Sequence, residues 1–204
     1  MAKPFIVIGA GGHGAVITDI LYRCGHSVKG FLDDAVEAGT EVLGVKVLGK
    51  LDECKFYNEC MFIIGVGDNG IRKRIAQTYS LEYGTAVHPS AVIGGQASIG
   101  TGSVVMAGSV INVRTVIGNH CIVNTSASVD HDGSVGDFVH IAPSAALGGG
   151  VLVGEGTFIG IGACVKNNVS VCGDVVVGAG AVVVRDIVKP GVYVGVPAGN
   201  VWSV

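Results

Sequence analysis

Residues 128–140 read SVDHDGSVGDFVH and put three aspartates and two histidines into thirteen positions of a chain otherwise dominated by valine, isoleucine, glycine and alanine. His131, flanked by Asp130 and Asp132, has the parts of a general base, because a neighbouring carboxylate can fix an imidazole tautomer and raise its basicity. The same residue types have two other readings. His and Asp are ordinary residues at the polar corners of a repetitive fold, and neutral imidazole with carboxylates can ligate a metal. No His-x3-His spacing or cysteine pair supports a metal site. A second chemical feature lies near the N-terminus, where Gly9, Gly11 and Gly14 fit G-x-G-x-x-G and Asp33–Asp34 follow about twenty residues on. Such glycines let a backbone approach a diphosphate at a helix N-terminus, with Asp33 or Asp34 left for a base or ribose. His13 is bulkier than a dinucleotide loop prefers. A merely tight strand-to-helix turn is the plain alternative.

The elements that must hold these residues follow two grammars, with a boundary near Ala86. Residues 1–86 carry 19 of the 29 charged residues and alternate apolar runs with helix-like segments. PFIVIG, VKGFLDD and MFIIGVG predict strands, and AVITDILYRCG (ending at Gly25) and GIRKRIAQTY predict helices, hence a small parallel α/β unit. Arg72, Lys73 and Arg74 on the second helix read as a solvated face, with phosphate ligation as the alternative. From Val87 to Val183 every sixth residue is Val, Ile or Leu, seventeen times without a slip, and a small or β-branched residue follows four places after each. Neither a helical period of 3.6 nor a strand period of 2 gives that register; a parallel β-helix of three six-residue faces does. At ~4.8 Å per strand, fewer than six coils make a prism roughly 25–30 Å tall.

Residues eighteen apart then stack in columns. His131 falls two places after the core residue Val129, at an outward corner, with Gly149 and Asn167 in its column one and two coils on. Gly149 is expected to leave room for a planar acyl group beside the histidine. Thr125, Pro143, Ile161 and Ala179 form another column able to line a groove, and His140 lies half a coil from His131.

Composition bounds the rest. A net charge of −3 with 14% charged residues gives no reason to expect nucleic acid. Mean hydropathy is +0.59, yet no apolar run approaches the ~18–20 residues of a membrane span. The start, MAKPFIVIGAGGHG, runs straight into a glycine turn, so no signal peptide and a cytoplasmic location are expected. The six cysteines show no zinc spacing and are expected to be free, mostly as small buried hydrophobes.

With GAGGHG, FLDD, GVGDN-x-x-R, NTS…HD-x-x-x-GDFVHI-x-P and the Gly191–Ala198 segment GV-x-VG-x-PA in hand, the whole chain resembles the hexapeptide-repeat nucleotide-sugar N-acetyltransferases. These act on UDP-linked bacillosamine precursors or GDP-perosamine and are related to sialic acid O-acetyltransferases. The resemblance implies a Rossmann-like nucleotide-sugar domain over residues 1–86 and a left-handed β-helix acetyltransferase domain over 87–204. It implies His131 as base supported by Asp132, and acetyl-CoA contacts from His140, Ile161 and Ala179. Nucleotide-sugar contacts fall at Gly11, Gly12, His13, Asp33, Asp34 and Gly67. It also implies a homotrimer with active sites between subunits. Some relatives carry Glu at Asp132; the shorter side chain leaves Asp130 as its rival, and Gly150 can widen the acyl pocket. The expected reaction is acetyl transfer from acetyl-CoA to the 4-amino group of a nucleotide-linked, UDP in the first instance, aminodeoxysugar. Gly149 N–H would meet the thioester oxygen, with no acyl-enzyme and no metal. An O-acetyltransferase, an NAD-binding oxidoreductase and a non-catalytic nucleotide-sugar scaffold are the alternatives.

Overall fold

A computed structural model describes residues 2–202. Its first unit is a five-stranded sheet in the order β3-β4-β2-β1-β5, made of β1 (Phe5–Ile8), β2 (Val28–Leu32), β3 (Glu41–Val42), β4 (Val45–Gly49) and β5 (Met61–Ile64). All neighbours run parallel except β3, which pairs antiparallel with β4. Helix α1 (Gly12–Arg23) joins β1 to β2, and α2 (Asn69–Thr78) follows β5. β1 is buried at all four positions, as a continuous apolar run in a parallel sheet should be. Gly9 takes φ +102°, and a Cβ on Gly14 would lie 2.0 Å from the Gly9 carbonyl, so this turn closes only with glycine at both places. The predicted α1 begins three residues earlier than expected, taking in Gly12 and His13. It stops at Cys24, with Gly25 left-handed at φ +76°. Expectation missed the β3–β4 hairpin and a 3₁₀ turn at Leu51–Phe56, whose charged, interrupted sequence hides their few inward residues.

The second unit is a left-handed parallel β-helix. Seventeen short strands, from Ala86–Val87 to Val182–Val183, stack into three parallel sheets of six, six and five, or five coils and two-thirds. Paired residues are eighteen apart: Ile111 on Val129, Val129 on Leu147, Leu147 on Val165. From Val105 onward every periodic residue is buried, each contributing about 1.5–3 kcal/mol of apolar burial. The alternate small position also points inward. Its hydroxyls stay satisfied because Ser103, Ser109, Thr115 and Thr157 donate to the carbonyls of Gly118, Asn124, Asp130 and Cys172 at 2.8–3.0 Å. The corners share one device. Three places after the core residue the chain turns through left-handed φ, at Gln96, Arg114, His120, Ser126, Asp132, Phe138, Ser144, Asn168 and Asp174, with glycine at other coils. Beyond the last coil, Gly191–Val194 and Gly199–Trp202 extend the first sheet.

The α/β unit sits on the first of the three faces, where Ala86, Val104 and Ile122 pack into one cluster with Phe5, Ile17 and Phe31. Arg72 fastens this junction. Expected on a solvated face or at a phosphate, it is only 1% exposed. Its Nε donates to His120 O at 2.7 Å and Nη2 to Phe138 O at 2.9 Å, both in the β-helix. Nη1 reaches Val66 O and Gly67 O at 3.1 Å, and Nη2 also reaches Asn69 Oδ1. Burial pulls its pKa down to about 10, which leaves it charged at neutral pH. The helix phase turns only this one of the three cations inward; Lys73 forms an exposed pair with Glu155. All six cysteines are free, but only Cys54, Cys60 and Cys121 are buried; Cys24 and Cys164 are exposed, against expectation.

Candidate active site

His131 stands on the corner that follows strand Ser128–Val129, in a turn closed by Asp132 N on Val113 O and by Gly150 N on His131 O. The two flanking carboxylates do different work. Asp130 Oδ1 accepts the His131 backbone N–H at 2.8 Å and Asn112 Nδ2 at 2.9 Å, so it caps the turn. Asp132 Oδ2 lies 2.7 Å from His131 Nδ1. The shorter side chain therefore reaches the imidazole. Asp132 is also held in a fork by Arg114, one coil below, with Nε to Oδ1 at 2.6 Å and Nη2 to Oδ2 at 2.9 Å. Arg114 first, then His131, holds this carboxyl far below the usual range. An ionised Asp132 accepts from Nδ1–H, which in the neutral ring leaves the lone pair on Nε2. Asp137, by contrast, accepts Asn119 N from the coil below and is a plain corner.

One of the two roles expected of Gly149, room for an acyl group, needs correction. The space above it is filled by the histidine itself: a Cβ there would come within 2.8 Å of His131 Cε1 and 2.9 Å of Nε2. Glycine is required so that the imidazole can pack against the coil above. A second glycine frees the amide. At neighbouring corners the preceding side chain accepts the corner N–H: Asn112 for Val113, Asn124 for Thr125, Asp130 for His131. Gly148 has no side chain to do so, and Gly149 N–H meets no acceptor among the described residues. The residue with this unpaired N–H and the histidine thus border one 360 Å³ cleft, which Asn167 and Asn168 help to line. A 480 Å³ groove adjoins it over Asn112, Ser128, Ala146, Cys164 and Lys166.

A second cluster lies on the face under the α/β unit. His140 is 9% exposed. Its Nδ1 donates to Gly67 O at 3.2 Å and its Nε2 accepts from Asn124 Nδ2 at 3.0 Å, whose Oδ1 is taken by Thr125 N. His13 faces it with ring centroids 6.5 Å apart, and His13 Nε2 is buried without a partner among the described residues. Burial, with Arg72 nearby, pushes both histidines down to about 4; for His13 the second cause is His140 itself. Gly11, Gly12 and Gly67 are open, with nothing near a would-be Cβ. Asp33 and Asp34 are already committed. Asp33 accepts the N–H groups of Ala10, Ala35 and Val36, and Asp34 Oδ1 accepts Leu51 N. Burial raises the Asp33 pKa, but those three donors outweigh it and the net shift is down. Both still border a 360 Å³ apolar cleft with Ile8, Leu51, Val66 and Ile75. Ile161, 59% exposed, and Ala179 lie on a third column, across one face from His131.

Comparison with known proteins settles the relationship. The PglD N-terminal domain family matches residues 4–79. The UDP-N-acetylbacillosamine N-acetyltransferase of Bacillus subtilis is 35% identical over 107 residues, 49% of this chain and half the length of that relative. A perosamine N-acetyltransferase from Caulobacter crescentus, solved with CoA and GDP-perosamine, is 39% identical with a TM-score of 0.91, covering 98% of this chain and 97% of that one. The acetyltransferase domain of PglB from Neisseria gonorrhoeae, solved with acetyl coenzyme A, is 37% identical with a TM-score of 0.93, covering 98% and 100%. The chain belongs to the hexapeptide-repeat nucleotide-sugar N-acetyltransferase family.

For this family member, the residues singled out in the sequence fall into separate places. His131, Asp132 and Gly149 share one corner; His13, Gly67 and His140 share one face; Asp33 and Asp34 border a cleft of their own. Sequence reasoning passed over Arg114, Asn124 and Gly148. The eighteen-residue spacing that stacked Gly149 on His131 also stacks Asp132 on Arg114, so the signal was present in the register.

Proposed function

We propose that this acetyltransferase-family chain moves an acetyl group from acetyl-CoA to the 4-amino group of a nucleotide-linked aminodeoxysugar, UDP-linked in the first instance. The observation that carries this is the corner itself: a histidine with Nδ1 on an ionised carboxylate, packed against a glycine whose N–H, like the histidine's Nε2, has no hydrogen-bond partner among the described residues. Nε2 takes the proton of the attacking amine as the carbon–nitrogen bond forms, and Gly149 N–H steadies the thioester oxygen as it gains charge. The thiolate of CoA then leaves, with no acyl-enzyme. The relatives' own ligands, CoA, acetyl-CoA and GDP-perosamine, support the choice of donor and acceptor class.

In this reading Gly11, Gly12, His13, Asp33, Asp34 and Gly67 receive the nucleotide sugar, and His140, Ile161 and Ala179 the acetyl-CoA. The uncrowded glycines and a His13 Nε2 without a partner among the described residues suit a phosphate or sugar oxygen. Since His131 and His140 stand on different sides of one prism, one chain does not close a site by itself. A homotrimer, with His131 of one copy facing the groove of the next, does. The units at residues 1–86 and 87–204 then divide acceptor binding from acetyl transfer, in the cytoplasm. A panel of UDP-, GDP- and dTDP-linked 4-amino-sugars and sialic acid, followed by thiol release from acetyl-CoA, tests the assignment. His131→Ala should cost ~10²–10⁴ in kcat with the best acceptor. Near-wild-type turnover would sink the base assignment, and binding without turnover would favour the scaffold.

A further inference from the structure

We propose that Arg114 is a positioning residue for the His131 base, clamping Asp132 and tempering its pull on the imidazole proton. This rests on the reading of His131 as the base. Residues 87–204 contain only four cations, Arg114, Lys166, Arg185 and Lys189. One of these four stands one coil beneath Asp132 and grips both carboxylate oxygens.

The ion pair has little to do with stability. The Arg114 and Asp132 side chains are 56% and 43% exposed, and exposed pairs contribute little. Its effect falls on the histidine. Asp132 Oδ2 accepts from both Nη2 of Arg114 and Nδ1 of His131, so the carboxylate cannot rotate without breaking the fork. Asp132 occupies the left-handed turn position at φ 61°, as Arg114 does at 57°. The two residues are thus stacked by the coil register, and the carboxylate is aimed at the ring. The charge matters as well. A lone carboxylate on Nδ1 would raise the imidazole pKa and fill Nε2 with a proton near neutral pH. A guanidinium on that carboxylate offsets part of its field and so weakens its hold on the imidazole proton. Of the other charged groups on this side, Asp130 is spent on the turn amide and Lys166 lines the adjoining groove rather than the cleft of His131.

The test is an NMR titration of His131 in the full-length protein, in wild type, Arg114→Gln, Arg114→Lys and Asp132→Asn. The pH profile of kcat/KM is measured alongside with the acceptor that the panel selects. Glutamine suits this backbone: Gln96 occupies the same turn position one coil below, at φ 61°. Arg114→Gln should raise the His131 midpoint by about half a pH unit to one unit, carry the acid limb of the rate profile up with it, and cut kcat/KM several-fold below that limb. Arg114→Lys should return the midpoint toward wild type, and Asp132→Asn should lower it. A His131 midpoint and acid limb that stay fixed in Arg114→Gln would overturn the proposal, even if activity fell uniformly, since that is the mark of a structural role alone. Full activity in His131→Ala would instead defeat the base assignment, while the NMR midpoints would still decide whether Arg114 controls that histidine.

Discussion

At the residue scale, the corner shows how much chemistry two glycines can carry. Gly149 gives up its side chain to the imidazole, and Gly148 gives up the cap by which Asn112, Asn124 and Asp130 silence the equivalent amides of Val113, Thr125 and His131. An alanine at 149 tests the first half. Gly149 does not have left-handed φ, so its backbone accepts alanine, but the added methyl would meet the ring at under 3 Å. The imidazole must swing off the coil, away from the amide and from Asp132. The expected result for Gly149→Ala is a fall in kcat on the order of 10²–10³ with the circular dichroism spectrum and thermal midpoint little changed. A variant with full kcat would show that ring and amide need not act together.

At the element scale, the hexad register fixed the position of nearly every β-helix residue in advance. Val129, Val135 and Ile141 keep the period straight through the charged stretch, so the corner placement of His131 could be counted out. What could not be counted was anything depending on the approach of two elements. Arg72 looked like one of three solvated cations because nothing in GIRKRIAQTY says which face of α2 meets the β-helix. Asp33 and Asp34 looked free because the N–H groups that occupy them come from the turns after β1 and β2 and from the start of the 3₁₀ turn. Arg72 makes five hydrogen bonds to acceptors from α2, the loop before it and two β-helix corners. Arg72→Met keeps most of the volume but strands those carbonyls in a buried junction. It should destabilise the protein by about 3–5 kcal/mol, read as a lower urea midpoint. An unchanged midpoint would mean that water satisfies the carbonyls and the arginine fastens nothing.

At the scale of the whole molecule, the junction that Arg72 closes also holds two histidines kept neutral by burial. Unfolded, each would titrate near 6.5; folded, both His13 and His140 are pushed down to about 4. Between those values the unfolded chain binds more protons than the native one, so stability falls as pH drops from about 6.5 toward 4 and levels off below. Each shift corresponds to about 3 kcal/mol at most, and mutual repulsion means that the second proton is resisted more than the first. His140 has more to lose, since its Nε2 accepts from Asn124 and protonation turns that acceptor into a donor facing a donor. Calorimetry across this window should show the thermal midpoint falling with acidity. His140→Gln should flatten the slope, because an amide can keep a bond to Asn124 or Gly67 without titrating. A steep slope that survives in the double variant His13→Asn, His140→Gln would assign the acid sensitivity elsewhere. A flattened one would place it where the α/β unit meets the β-helix, so that acid would loosen the acceptor-binding unit before it reached the coils beneath.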